Sequence, residues 1–325
     1  MSVMRRIYAY ILTVICLISG FKVIAQTDIS LATHWYNRAN YNPAFIARTD
    51  YLYLFCNTRH QWIGINGAPA VLNVQISEYY DAIHSAFGLS FVNDKIGITQ
   101  SFNPMLTYAF RIAKKNKWAL SMGLSGGMFI RTIDGSKLEA ETAGDPSLFY
   151  YYKKISKPDF NTGFEFQTPH FITGISSTHL TSIGKSDTLF LNTNHRYAYV
   201  IYKNDDPRII SYSFGAEIVN RYNLTVVEGN VFVRVKRPAK MITGPLNKGP
   251  QEILDFGLTY RTSREVTLLC GVMISPYFRI GYAYDQSLLS QYGRYGTHEV
   301  MLEYRIPAKS ASTQVRCGGK EFWYR

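Results

Sequence analysis

Between residues 97 and 112 of this chain, apolar positions alternate with small or polar ones without a break. Ile98, Gln100, Phe102, Pro104, Leu106, Tyr108, Phe110 and Ile112 take one side of an extended strand, and Thr99, Ser101, Asn103, Met105, Thr107, Ala109 and Arg111 take the other. At about 3.3 Å per residue the run spans roughly 50 Å, far beyond the ~5–6 residues of a soluble strand and long enough to cross a bilayer at a tilt. The same period recurs along the chain and predicts fourteen strands, at 51–58, 70–77, 85–94, 97–112, 118–131, 160–167, 171–179, 194–203, 209–219, 223–236, 251–261, 265–276, 277–285 and 298–306. An even number of antiparallel strands fits a single-chain bacterial barrel.

Connection lengths give an independent check, because such barrels have short periplasmic turns and longer outer loops. With the N-terminus in the periplasm, the links at 113–117, 168–170 and 204–208 are short where they should be, and those at 132–159, 180–193 and 286–297 are long where they should be. Residues 237–250 break the rule, being long on the inner side. Side-chain faces agree with a barrel. In the fifth strand Trp118, Leu120, Met122, Leu124, Met128 and Ile130 share one side, while Ala119, Ser121, Gly123, Ser125, Gly127 and Arg131 share the other with Phe129 as the exception. The last strand sets Val300, Leu302, Tyr304 and Ile306 against Glu299, Met301, Glu303 and Arg305. Charges on one face only are what a wet lumen inside a lipid-facing wall requires. A soluble sandwich would alternate in the same way with its apolar side inward, but strand length, strand number and export favour the barrel.

Export is read from the first 25 residues: Arg5 and Arg6, an apolar run over 7–17, then Val23-Ile24-Ala25 before Gln26. A cationic start, a short apolar core and small residues before the cut form a secretory signal, whereas a spanning helix needs about 20 apolar residues. The expected organisation is therefore a signal peptide (1–25), a periplasmic or lumenal segment (26–50), an outer-membrane barrel (51–306) and a basic, aromatic tail (307–325). The formal charge of +12 falls to +9 once Arg5, Arg6 and Lys22 are removed. The basic residues, Lys153, Lys154, Lys157, Arg234, Lys236 and Arg237 among them, fall mostly in apparent turns. For an exported chain they suit anionic lipid headgroups or an acidic protein rather than nucleic acid. The 25 Tyr and 19 Phe suit membrane-interface girdles. With Cys16 inside the expected signal peptide, the mature chain keeps Cys56, Cys270 and Cys317, an odd set without CxxC spacing that indicates neither a disulfide framework nor a zinc site.

Chemical motifs are sparse. Gly123 to Gly127 match G-x-S-x-G, but a nucleophile elbow needs a strand, a sharp turn and a helix, and here the strand pattern runs on through Ile130. A row of small residues giving lumen space or close backbone approach is the plainer reading. The seven histidines are scattered, with no i, i+4 pair or HExxH. No catalytic, metal or cofactor site is expected. Arg59, Gln61 and Trp62, followed by the Gly-rich residues 63–69, are costly to place in a lipid-facing wall and belong in a loop or the lumen. Tyr150, Tyr151 and Tyr152 with Lys153 and Lys154 read similarly, as aromatics beside cations. For both clusters protein contact and interface anchoring remain open.

In order along the chain, Asn42-Pro43-Ala44-Phe45, Arg59 to Pro69, Gly88 to Gly97 (with Asn93, Asp94 and Lys95), the glycine row at 123–127, Pro158 to Gly163, Gly174 to Leu180, Gly281 to Asp285 and His298 to Leu302 resemble the PorP/SprF family of outer-membrane proteins of the Bacteroidetes type IX secretion system. The resemblance implies a fourteen-stranded barrel and a non-enzymatic role. It further implies secretion or surface attachment of cargo bearing a type IX C-terminal domain, sometimes a gliding adhesin, together with periplasmic ring or motor proteins. On this reading the expected partner-binding residues are Trp35, Asn42, Pro43, Arg59, Gln61, Trp62, Asn93, Asp94, Lys95, Tyr150, Tyr151 and Tyr152. A channel or hydrophobic-solute transporter is the alternative, and an outer-membrane lipid hydrolase using Ser125 is a third.

Overall fold

A computed structural model describes residues 31–48, 51–115, 118–135, 152–184, 193–204, 210–221, 224–237, 251–275, 277–289 and 295–307. The fourteen antiparallel strands are β1 (Tyr51–His60), β2 (Ala70–Tyr80), β3 (Ser85–Ile96), β4 (Thr99–Lys115), β5 (Trp118–Asp134), β6 (Tyr152–Gln167), β7 (Phe171–Thr178), β8 (His195–Asn204), β9 (Ile210–Arg221), β10 (Leu224–Arg237), β11 (Gln251–Arg261), β12 (Glu265–Ser275), β13 (Phe278–Ser287) and β14 (Thr297–Pro307). Each pairs with its sequence neighbours, and β1 closes on β14 from Tyr51↔Pro307 to His60↔His298. This is the expected all-β closed barrel. None of the described helices is long and apolar enough to cross a membrane.

The two faces of the wall follow from period two. Outward positions carry exposed apolar side chains such as Leu106, Ile175 and Leu268, while inward positions around the wall bury Ser101, Glu165, Glu228, Thr267 and Glu299. Phe129 is buried on the inner face of β5, in line with its exceptional position in the pattern. Cys56 and Cys270 are free and occupy outward positions. Three register shifts, at Arg111/Ala113, Val235/Lys236 and Met273/Ser275, fall near the end of the barrel where β1 begins and β14 ends. Bulges there re-aim inward side chains and raise the local twist.

Two expectations need correction. β6 starts at Tyr152, so residues 152–159 are strand rather than loop, and Tyr152 opens a strand that pairs with Asp134. Both faces of this part are wet, which removes the alternation that would have marked it. The basic residues are likewise not confined to turns. Lys153, Lys154 and Lys157 lie in β6 and Arg234, Lys236 and Arg237 in β10, and Arg234 faces Glu252 across the wall at 3.7 Å. Residues 238–250, the long inner link, lie outside the described residues, as do the signal segment and the tail.

Residues 31–48 fill the barrel. Two 3-10 turns, Ala32–Trp35 and Pro43–Arg48, are joined by a bend through Arg38 and Tyr41. Nearly all of this segment is buried. Trp35 packs with Ile172, Tyr199, Phe232 and Leu269, while Ile46 and Ala47 pack with Tyr79, Ala86 and Ala109. The core thus lies between the segment and the inner wall, where a soluble β-protein would have its second sheet.

Candidate functional site

Polar groups buried away from water must be hydrogen-bonded or paired, and buried carboxylates most of all. The inner wall supplies carboxylates, and residues 31–48 supply donors to them. Glu299 accepts the backbone N–H groups of Ala32 at 2.8 Å and Thr33 at 3.2 Å and the Thr33 hydroxyl at 2.5 Å. The Trp35 indole donates to Glu228, and the Tyr36 hydroxyl donates to Asp255. His34 Nε2 stands 3.3 Å from Glu228 and 3.7 Å from Glu217. Arg38 Nε faces Glu165 at 3.6 Å, and its guanidinium lies over the Tyr199 and Phe45 rings. Asn37 donates to Gln75 at 2.7 Å. At the inner end Arg111 reaches the Ala47 carbonyl at 2.5 Å.

Close backbone approach completes the fit. Asn42 donates to the Phe164 carbonyl and the Tyr199 hydroxyl, each at 2.9 Å, with its own Oδ1 capping the Ala44 N–H at 3.0 Å. A Cβ on Gly163 would fall on the Asn42 side chain, one on Gly123 on the Pro43–Ala44 peptide, and one on Gly215 on the Trp35 ring. Gly123 on β5, Gly163 on β6 and Gly215 on β9 therefore make room for the inserted segment. Ser125, in the same row, sits mid-strand and shares a hydrogen bond of 2.8 Å with Thr107, not the strand-turn-helix of a nucleophile elbow.

Among the expected contact residues, Trp35, Asn42 and Pro43 are thus held inside the lumen by the protein's own wall and offer no surface to a partner. Arg59 needs the same correction. It lies inward on β1, 2.5 Å from Asp285 and 3.1 Å from Glu299, and is buried. The R-x-Q-W pattern looked like one binding motif, but its Arg and Trp belong to different environments. Arg59→Ala removes a cation shared by two buried carboxylates, Asp285 and Glu299, and breaking one side of such a buried pair costs about 3–5 kcal/mol. The temperature at which the folded band converts to the unfolded one in heat-modifiability gels should drop clearly, while Trp62→Ala should leave it unchanged.

The structure does bring Gln61, Trp62, Asn93, Asp94 and Lys95 together at the rim where β1 ends and β2 begins. The β1–β2 loop is closed by the Gln61 N–H on the Pro69 carbonyl at 2.9 Å and braced on the β3–β4 turn by the Gly97 N–H on the Gly67 carbonyl at 2.9 Å. Asp94 and Lys95 pair with Val71 and Ala70 just below it. Trp62 itself takes a positive φ of 52°, and Ile63 and Ile65 at the loop tip are 57% and 41% exposed. Such a conformation is costly for a bulky residue and persists where the surroundings enforce it. The two isoleucines were missed in the sequence because they stand in a Gly-rich loop without periodicity. Tyr152 is exposed at the start of β6, away from this cluster, and Tyr150 and Tyr151 lie outside the described residues.

Between the rim and the inserted segment lies a cavity of about 90 Å³ floored by Asn40 and Tyr41. Two of its lining residues, His179 and Asn103, are both held by Asp159, at 2.7 Å and 3.0 Å. No cluster of three or more metal-ligating side chains occurs among the described residues.

A family profile described as type IX secretion system membrane protein PorP/SprF matches residues 23–304. Among curated proteins none matches the chain. Solved structures similar in fold include the outer membrane protein Omp33 of Acinetobacter baumannii, 11% identical, covering 79% of this chain and 99% of that one with a TM-score of 0.44. A FadL homologue of Pseudomonas aeruginosa is 11% identical over 81% of this chain and 92% of its own, with a TM-score of 0.44. The toluene transporter TbuX of Ralstonia pickettii is 10% identical over 82% and 92%, with a TM-score of 0.48. All are remote in sequence, and the likeness is one of architecture.

Proposed function

Because this chain belongs to the PorP/SprF family of type IX secretion system membrane proteins, we propose that its outer-membrane barrel is a closed docking platform rather than a passage. The outer rim holds the C-terminal signal domain of a secreted or surface-anchored cargo protein, and the short inner turns contact the periplasmic ring or motor proteins of the system. The observation that carries this reading is the filled lumen. A transport path would have to run where residues 31–48 are tied to both sides of the wall, from Gln75 on β2 through Glu165 on β6 to Glu299 on β14. What remains available is the rim, where Trp62, Ile63 and Ile65 present apolar surface beside Asn93 and Lys95. Aromatic anchors ringed by polar groups are where binding energy concentrates.

Trp62→Ala combined with Ile63→Ala should therefore abolish cargo display at the cell surface without altering barrel migration. A hot-spot loss of about 2 kcal/mol corresponds to roughly thirty-fold weaker binding. Flow cytometry with an antibody to the cargo reads this directly, and undiminished display in a correctly inserted variant would remove the rim loop from the binding surface.

A further inference from the structure

Beside the Trp62 loop, at the end of the wall, strand register builds a row unlike the apolar positions next to it. His60 of β1 stands opposite His298 of β14 across the closing seam. On its other side His60 pairs with Ala70 of β2, Ala70 with Lys95 of β3, and Lys95 with Gln100 of β4. Cross-strand partners share a face, and parity makes this the outward one. In the same phase Leu72, Phe91, Phe102 and Val300 are exposed, while Arg59, Val71, Ser101 and Glu299 in the opposite phase are buried inside the barrel. His60, Lys95 and Gln100 are exposed, and His298 and Ala70 are half-buried. The row therefore faces the membrane side, just beyond the last apolar positions of these strands.

Flanking tyrosines fix its level. Tyr284 pairs in register with His298, their ring centroids 5.1 Å apart, and the Tyr282 hydroxyl meets His298 Nδ1 at 2.5 Å. Tyrosines on the outside of a barrel gather where hydrocarbon gives way to headgroups. Side chains at that level meet lipid headgroups before anything else.

The row carries no carboxylate. Those of the same strands turn inward: Asp94 lines the lumenal cavity, and Asp285 and Glu299 hold Arg59. His60 Nε2 lies 3.3 Å from the Thr58 hydroxyl and His298 Nδ1 is taken by Tyr282, so each imidazole keeps one nitrogen for an outside group. Ala70 offers no side chain beyond Cβ, so His60 and Lys95 face one another across two strand spacings, about 10 Å. Such a gap takes one phosphate held from both sides by charge-assisted hydrogen bonds of ~2.8 Å. Gln100 beside it donates to Asn93 at 2.9 Å, which leaves its carbonyl oxygen for an outside hydroxyl. We propose that the gap between His60 and Lys95 binds the phosphate of a phosphorylated glycolipid of the outer leaflet, with Gln100 receiving a sugar hydroxyl. His60 and Ala70 are the last pair beneath the Trp62 loop, so the bound headgroup sits at the foot of that loop. This placement rests on the orientation proposed above, with the Trp62 rim outermost, and is independent of what docks there.

The test titrates the full-length barrel, released from detergent micelles in native mass spectrometry, with bisphosphorylated lipid A, the same lipid A dephosphorylated, and phosphatidylglycerol. The bisphosphorylated form should bind at least tenfold more tightly than either of the others, with EDTA present or absent. His60→Gln combined with Lys95→Gln should erase that preference, and Lys95→Arg should retain it. Arg196→Gln, which removes an exposed cation elsewhere on the outward face, should change it less than twofold. Equal binding of the dephosphorylated lipid overturns the phosphate contact, as does an unchanged preference in the double variant. Phosphatidylglycerol binding as tightly as lipid A reduces the row to general attraction for anions and overturns the glycolipid, and release by EDTA overturns direct contact in favour of a bridging cation. On intact cells, Asn66→Cys at the exposed loop tip should react with a membrane-impermeant maleimide. Absence of labelling overturns the orientation itself, whereas labelling without lipid binding removes this site alone and leaves the Trp62 experiment as the separate test of docking.

Discussion

A barrel lacking residues 31–48 should conduct ions in planar bilayers, where the full-length protein stays at baseline. The wall that the segment covers is polar: Gln75, Glu165, Glu228, Asp255 and Glu299 are all occupied by its donors. With those donors gone, the buried carboxylates regain hydration only by admitting water, and a water-filled fourteen-stranded lumen is a pore. Constitutive conductance in the full-length protein would return the channel reading to first place. Silence in the deletion variant, with heat-modifiable migration intact, would mean that the closure lies elsewhere in the lumen.

The second large effect comes from Gly123→Val, which should expel the segment without shortening the chain. A side chain there meets the Pro43–Ala44 backbone. Ordinary overpacking of a core costs about 1–3 kcal/mol because side chains can shift; backbone against backbone has no rotamer to change, so the inserted segment itself must move. Arg38, 3% exposed in the native barrel, should then become a trypsin site, with cleavage accelerated at least tenfold. Gly229→Ala is the matched control, since a Cβ at that position meets nothing within 4 Å. Protection of Arg38 in the Gly123→Val protein would show that the lumen accommodates more than its geometry allows.

The wall was legible because hydrocarbon outside and water inside impose the same alternation on every strand. Thirteen strands were placed to within a few residues on that alternation; the sixteen-residue β6 was not, because its outer part meets water on both faces and carries no period. The glycine row at 123–127 was also legible, in that small residues in a strand signal close backbone approach; Gly123 meets Pro43 and Ala44, and Gly127 meets Pro104 and Met105. What approaches them was not. The partners of the inserted segment lie far away in sequence, 266 and 267 residues between Thr33 or Ala32 and Glu299 and 193 between Trp35 and Glu228, and no local pattern marks such pairs. Arg59 was misread for the same reason. Its charge makes sense only once β1 is laid against β14, which places Glu299 directly across from it.

That seam has one more consequence. Glu299 on β14 holds Asn57 and Arg59 of β1 and, through Thr33, the inserted segment as well. Closing the cylinder means laying β14 against β1, and the carboxylate on that joint has its full set of donors only when β1 and the inserted segment are both in place. A cylinder closed without residues 31–48 would keep Asn57 and Arg59 on that carboxylate and lose the three donors of Ala32 and Thr33, so the seam and the filling brace one another through a single side chain.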